Sequence, residues 1–219
     1  MPKKLNKARV LGVLAGGDFP AQRLRGWLGS ADMILAADGA ADFIKSLGVV
    51  PDTTVGDLDS ITISTKAIQN DLIFEPNQDL SDCDKLLNLA AERGHSDITL
   101  VCVEGDLLDH VLGSLYSAAR SPLNVKLALR RGIAHILRGP VEMHLKLPPS
   151  TRLSLMPLTP CKGVSLGGTK WPLSCAELSP LGLTSLSNQT SGPVQVSLEA
   201  GTAVLFLAHP DLEAPSWDS

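Results

Sequence analysis

Aromatic residues are scarce, basic residues are not in excess, and no apolar run is long; each shortage excludes something. Aromatics make up 4% of the 219 residues, so any core must rest on Leu, Val, Ile and Ala. The 19 Lys and Arg are outnumbered by 23 Asp and Glu, giving a net charge of −4. Without a basic surplus to neutralise phosphates, nucleic acid is not an expected partner. No apolar stretch approaches the roughly 20 residues that span a bilayer, so no membrane partner is expected either. Lys3, Lys4, Lys7 and Arg9 precede the apolar run Val10–Ala15. That run is short and ends at Gly16-Gly17-Asp18 without a cleavage-like site, so it reads as a first strand rather than a signal peptide. Cys83, Cys102, Cys161 and Cys175 form no CxxC pair, and three of them lie in apolar segments. Buried thiols in a reducing cytoplasm are the expectation. The five histidines lack metal-ligand spacing, and neither GxxxxGK[ST] nor GxGxxG occurs. A disordered chain is excluded by 44% hydrophobic residues and only 19% charged ones.

What the sequence does contain is an alternation of short apolar runs with helical patterns. Strands are expected at Val10–Ala15, Met33–Ala37, Asp71–Phe74, Ile98–Val103 and Val125–Leu129. Helices are expected at Gln22–Leu28, Ala40–Leu47, Asp82–Arg93 and His110–Arg120, with Gly48 and Gly94 as stops. Such alternation predicts an α/β fold: a Rossmann-like parallel sheet with helices on both faces. The character changes at Gly139-Pro140. Beyond it Pro, Gly, Ser and Thr punctuate strand-like runs at Val141–Leu147, Arg152–Met156, Val194–Leu198 and Ala203–Leu207. An α/β domain over 1–139 and an all-β, sandwich-like domain over 140–219 are expected. Glu213–Ser219 reads as a loose tail.

The aspartates fall where chemistry would need them. Asp18 follows the first strand and Asp38 the second; Asp57 and Asp59 lie in Gly56-Asp57-Leu58-Asp59-Ser60. Asp79 and Asp82 precede the strongest helix, and Asp106 and Asp109 follow Ile98–Val103. In an open parallel sheet these positions share the edge where ligands bind. Each acid also has a structural reading. Asp38 and Asp109 could be helix N-caps, Asp82 could complement a helix dipole, and Ser81 with Asp84 resembles a capping box. Asp57 and Asp59 fit a structural role poorly, because carboxylates two apart on an extended segment face the same way and repel. Hard oxygen donors without Cys or His point to Mg²⁺, and Mg²⁺ on carboxylates points to a phosphate substrate. Gly16 and Gly17 would let backbone N–H groups approach that phosphate.

Ala37-Asp38-Gly39, Gly56-Asp57-Leu58-Asp59-Ser60, Gln78-Asp79-Leu80-Ser81-Asp82 and Leu108-Asp109-His110 occur in the order and spacing of thiamin pyrophosphokinases. Gly168-Thr169-Lys170-Trp171-Pro172-Leu173 resembles that family's G-L-K-W-x-L, and Ser185-Leu186-Ser187-Asn188 its S-x-S-N. The resemblance spans most of the chain. It implies a homodimeric enzyme that transfers pyrophosphate from ATP to the hydroxyl of thiamin, with residues 1–139 as the nucleotide-binding, catalytic domain, residues 140–219 serving the acceptor and dimerisation, and Mg²⁺ held by Asp57, Asp59 and Asp82. It places Asp38 with those three in the catalytic group, either Asp38 or Asp82 orienting or deprotonating the hydroxyl. Gly16, Gly17, Asp18, Gly39, Ser60, Asp79, Lys85, Gly105, Asp109 and His110 fall to the nucleotide. Trp171 falls to stacking on cationic thiamin, and Ser187 and Asn188 to hydrogen bonds with its aminopyrimidine. One departure stands out: the family's G-G-R-x-D-H is Gly105-Asp106-Leu107-Leu108-Asp109-His110 here, with Leu107 in place of the Arg. Lys85 is a candidate substitute, or else an i,i+3 surface partner of Asp82. A hydroxymethyl pterin as acceptor, and a degenerate relative that only binds nucleotide or thiamin, are the competing readings.

Overall fold

The computed structural model describes residues 8–15, 19–58, 71–105, 107–208 and 217. The chain divides into two units, Met1–Arg130 with Glu213–Trp217 and Arg131–Leu212 with Asp218–Ser219. The division thus falls before the strand Gly132–Arg138, where the turn residues Gly139-Pro140 had suggested a later boundary. That strand pairs along its whole length with Thr202–Ala208, which ties it to the second unit.

The first unit runs β1 (Val10–Val13), α1 (Ala21–Ser30), β2 (Met33–Ala37), α2 (Asp38–Ser46), β3 (Thr53–Gly56), β4 (Asp71–Phe74), α3 (Asp82–Glu92), β5 (Asp97–Val101), α4 (Leu108–Arg120) and β6 (Asn124–Leu129). Its strands pair in the order β6-β5-β1-β2-β3-β4, all parallel. The central strands β1, β2 and β5 are short apolar runs buried on both faces, as Leu11, Val13, Leu35, Ala36, Leu100 and Val101 are. The chain builds outward from β1 to β4, then returns through α3 to β5 on the other side of β1. The order therefore reverses between β1 and β5, and all carboxyl ends share one edge.

Local chemistry sets α3. Its N-cap Ser81 accepts from the Asp84 N–H, and the Asp84 side chain accepts from the Ser81 N–H at 3.2 Å, the reciprocal box expected from the sequence. Burial alone would raise the Asp84 pKa, but hydrogen bonds from Ser81, Ser117 and Arg120 outweigh it and hold the carboxyl below its ordinary value. Gly94, at φ +80°, ends the helix in a conformation that suits glycine. By contrast, neither Asp38 nor Asp109 is a cap. Ala37 and Leu107 occupy those positions without side-chain capping bonds, and the two acids sit inside the first turns.

Trp217, expected in a loose tail, belongs to the first unit. Its ring meets Trp27 edge-on at 5.0 Å, its Nε1 donates to Ser30 Oγ at 3.1 Å, and its carbonyl accepts from Lys126 Nζ at 3.2 Å. Trp217→Ala is expected to lower stability by about 1–2 kcal/mol, given an aromatic pair and a lost hydrogen bond. A urea melt with an unchanged midpoint would show the ring adds nothing.

The second unit is all-β among its described residues. β7 (Gly132–Arg138), β8 (Val141–Leu145), β9 (Arg152–Pro157), β10 (Cys161–Thr169), β11 (Leu173–Leu178), β12 (Ser185–Leu198) and β13 (Thr202–Ala208) are its strands. They pair in the order β7-β13-β9-β12-β10-β11, with β8 also on β12. The 14-residue β12 serves two groups: Ser185, Asn188 and Gln189 pair with β9, while Val194–Leu198 pair with β8. Its alternation of Val194, Val196 and Leu198 with Gln195 and Ser197 buries one face. Leu153, Leu155, Val164, Leu166 and Leu205 complete an aliphatic core. No helix among the described residues is long and apolar enough to cross a membrane.

Candidate functional site

Parallel pairing puts the loops after β2, β3, β4 and β5 on one edge of the first unit, and hydrogen bonds knit three of them together. Asp38 opens α2 and is only 3% exposed. Its Oδ1 accepts the Gly39 N–H at 2.7 Å and its Oδ2 accepts the Leu58 N–H at 2.8 Å. It therefore clamps the segment leaving β3, the one that carries Asp57. Leu58 adopts φ +63°, a left-handed conformation costly for leucine; the Asp38 hydrogen bond helps hold it. Room for the clamp comes from Gly56. A Cβ there would lie 2.3 Å from the Asp38 Cγ and Oδ2.

Asp57, half-buried, accepts from Gln78 Nε2 at 2.9 Å, which links the β3 end to the loop before α3. In that loop Asp79 is exposed, with its N–H bound to Asn77 Oδ1 at 2.9 Å. Asp82, in the first turn of α3, has a half-exposed side chain; Lys85 Nζ lies 3.8 Å from its Oδ1. The Lys85 side chain is 3% exposed, so it is no surface partner. It brings a buried positive charge to the start of α3. Gly105, at φ +100°, follows β5, and Asp109 and His110 are exposed in the first turn of α4. Leu107 and Leu108 beside them are exposed too. Gly16, Gly17, Asp18, Asp59, Ser60 and Asp106 lie outside the described residues. Among the described residues no three of His, Cys, Asp and Glu gather closely enough to form a metal cage. Mg²⁺ does not require one, since it is commonly held by one or two carboxylates together with water and substrate phosphate.

In the second unit, Trp171 sits in the turn between β10 and β11. Its side chain is not core: the residue is 55% exposed. The Lys170 ammonium lies 4.6 Å from its ring centroid. Ser187 adopts φ +58°. Its Oγ accepts from Arg152 Nε and Nη2 at 3.2 and 2.8 Å, and its N–H donates to Ser154 Oγ at 3.0 Å. The Ser187 hydroxyl is thus oriented by a cation and keeps its own proton to donate. Asn188 differs. It is 1% exposed, and its amide is taken up by Trp171, Gln189, Ser185 and Thr169. All of the amide's hydrogen-bonding groups are thus engaged within the protein.

Four contributors escaped the sequence reading. Gln78 had a signal, since it abuts Asp79 in the acid-rich loop. Gly56 acts through the side chain it lacks, and Arg152 and Lys170 act across strands or on a neighbouring ring.

Residues 24–129 match the thiamin pyrophosphokinase catalytic domain family, and residues 141–203 match the thiamin pyrophosphokinase vitamin B1 binding domain family. No curated protein matches the chain significantly. Among solved structures, a thiamine pyrophosphokinase from Bacillus subtilis is 21% identical over 93% of this chain and 100% of its own, with a TM-score of 0.76. The Candida albicans enzyme is 16% identical over 92% and 90%, with a TM-score of 0.76, and the yeast enzyme 14% identical over 95% and 89%, at 0.74. At these identities the likeness concerns the fold. The vitamin B1 binding match does not favour the pterin reading.

Proposed function

Since the chain belongs to the thiamin pyrophosphokinase family, we propose that it transfers a pyrophosphoryl group from ATP to the hydroxyethyl oxygen of thiamin, releasing AMP. The observation that carries the mechanism is the Asp38 clamp on the Asp57 segment. In-line transfer asks the protein for position and charge more than for covalent chemistry. Asp38, with both oxygens on backbone N–H groups, is a positioning carboxylate. Asp82, half exposed beside Lys85, is the acid left to orient the thiamin hydroxyl. Asp57, Asp59 and Asp82 would hold Mg²⁺, whose chemistry is to neutralise charge on the transferring group. Lys85 supports phosphate binding on an edge where Leu107 replaces the family's arginine. Gly16, Gly17, Asp18, Gly39, Ser60, Asp79, Gly105, Asp109 and His110 are assigned to the nucleotide from the same motifs.

Right-handed crossovers would put α1 and α2 on one face of the sheet and α3 and α4 on the other, a doubly wound arrangement. The packing of α3 against α4 supports it. In the second unit, Trp171 offers an open ring to a flat cation, and Ser187 offers a donor to a ring nitrogen. Exposed Leu181, Leu183 and Leu186 support assembly as a homodimer. Four unpaired cysteines fit a reducing cytoplasm.

The test is to incubate the pure protein with ATP, Mg²⁺ and thiamin while following AMP and thiamin diphosphate. Stoichiometric formation of both is expected, with no turnover of a hydroxymethyl pterin. ATP binding without AMP, across Mg²⁺ and Mn²⁺, would overturn the reading in favour of a non-catalytic binder. Trp171→Ala is expected to raise the KM for thiamin about tenfold, the worth of a desolvated cation–π contact. An unchanged KM would remove the stacking role.

A further inference from the structure

We infer that Asn188 is a positioning residue that acts through Trp171, fixing the plane against which the acceptor packs. The inference rests on the reading of Trp171 as the stacking face. Its geometry is independent of that reading. Asn188 Oδ1 accepts the Trp171 N–H at 3.1 Å, and Nδ2 donates to the Trp171 carbonyl at 2.6 Å. One side chain therefore grips both polar groups of the Trp171 backbone, as a neighbouring strand would.

The grip is needed because the ladder fails at this point. β10 and β12 are in regular register from Ser165 to Gly167, and then shift before Thr169. At the shift stands Gly168, at φ +71°, where a Cβ would come within 2.0 Å of the Pro193 carbonyl oxygen. Beyond it Lys170 still donates to the Gln189 carbonyl at 2.8 Å, and Pro172, following Trp171, has no N–H to give. The Asn188 side chain supplies to the Trp171 backbone the pairing that a strand backbone would otherwise give.

Asn188 is in turn anchored. Oδ1 also accepts the Gln189 N–H at 2.9 Å, and Nδ2 lies 3.3 Å from Ser185 Oγ and 3.4 Å from Thr169 Oγ1. Both hydroxyl residues are buried, so the amide has little freedom to rotate. Trp171 is more than half exposed. The Asn188 bonds set its direction from the backbone side, and Lys170 steadies one ring face. Together these make a rigid stem for an exposed aromatic, and the ordering cost is met before any acceptor arrives.

The experiment uses Trp171 as its own reporter, in a full-length chain carrying Trp27→Phe and Trp217→Phe. In Asn188→Ala, fluorescence anisotropy of Trp171 should fall and acrylamide quenching should rise. The KM for thiamin should rise about tenfold while kcat and the KM for ATP stay within about threefold. Asn188→Asp keeps the acceptor and loses the donor, and should fall between. It also serves if Asn188→Ala does not fold, as judged by the far-ultraviolet spectrum and melt. Unchanged anisotropy in a folded variant would overturn the inference, whether or not the protein converts thiamin to its diphosphate. Equal losses for thiamin and ATP would show a merely structural residue. Absence of thiamin turnover in the parent chain would sink the functional reading instead, and leave the anisotropy result standing.

Discussion

Asp57→Asn should reduce kcat/KM about a thousandfold, some 4 kcal/mol of transition-state stabilisation, while the fold survives intact. The substitution preserves shape and keeps an oxygen for Gln78, whose Nε2 now reaches Asp57 Oδ2 at 2.9 Å. What it removes is one negative charge from an edge that carries Asp38, Asp79 and Asp82 as well. Relief of that repulsion should leave the melting temperature unchanged or slightly raised, the mark of a residue kept for chemistry at some cost to stability. The checking measurements are steady-state kinetics at saturating Mg²⁺ beside a thermal melt of the same sample. Parallel losses of activity and melting temperature would make Asp57 a structural residue. A change in metal dependence, with more Mg²⁺ needed for half-maximal rate, would place its carboxylate on the cation.

The acids were legible in the sequence because position after a strand is a local property. A run such as Ile34-Leu35-Ala36-Ala37 announces its own end, and Asp38 follows. The α3 capping box was legible for the same reason, since all its atoms lie within four residues. What could not be read was anything that depends on a partner across the sheet. β3 is only Thr53-Thr54-Val55-Gly56; its threonines are wholly buried between β2 and β4, and nothing in that stretch looks like core. β10 carries three glycines, and β7 is interrupted by His135; both are strands because β12 and β13 pair with them. The division between the units likewise depends on pairing: β7 joins the second unit through β13, which sets the division before Gly132 rather than at Gly139-Pro140. Lys85 is the sharpest case. Spacing left it either a stand-in for the missing arginine or a surface partner of Asp82, and only tertiary packing shows that its side chain is buried.

Gly56→Ala should be the most damaging single methyl group in the first unit. Gly56 is not in a left-handed conformation, so the issue is space alone. The added Cβ would stand 2.3 Å from the Asp38 Cγ and Oδ2 and 2.8 Å from the Asp38 Cβ. Asp38 has a short side chain fixed at the start of α2 and cannot yield without releasing the N–H groups of Gly39 and Leu58. Overpacking of this kind costs about 1–3 kcal/mol of stability. The release of Leu58 should cost more in function, because the segment bearing Asp57 would lose its anchor; a fall of about a hundredfold in kcat/KM is expected. Gly29→Ala in α1 is the control, since nothing lies within 4 Å of its added methyl; a gain of up to about 1 kcal/mol with unaltered kinetics is expected. The decisive measurement is a double-mutant cycle with Asp38→Ala. If Gly56 acts only by making room for the carboxylate, the double variant will be no slower than Asp38→Ala alone. Additive losses would mean that the bare strand end at Gly56 meets the substrate in its own right.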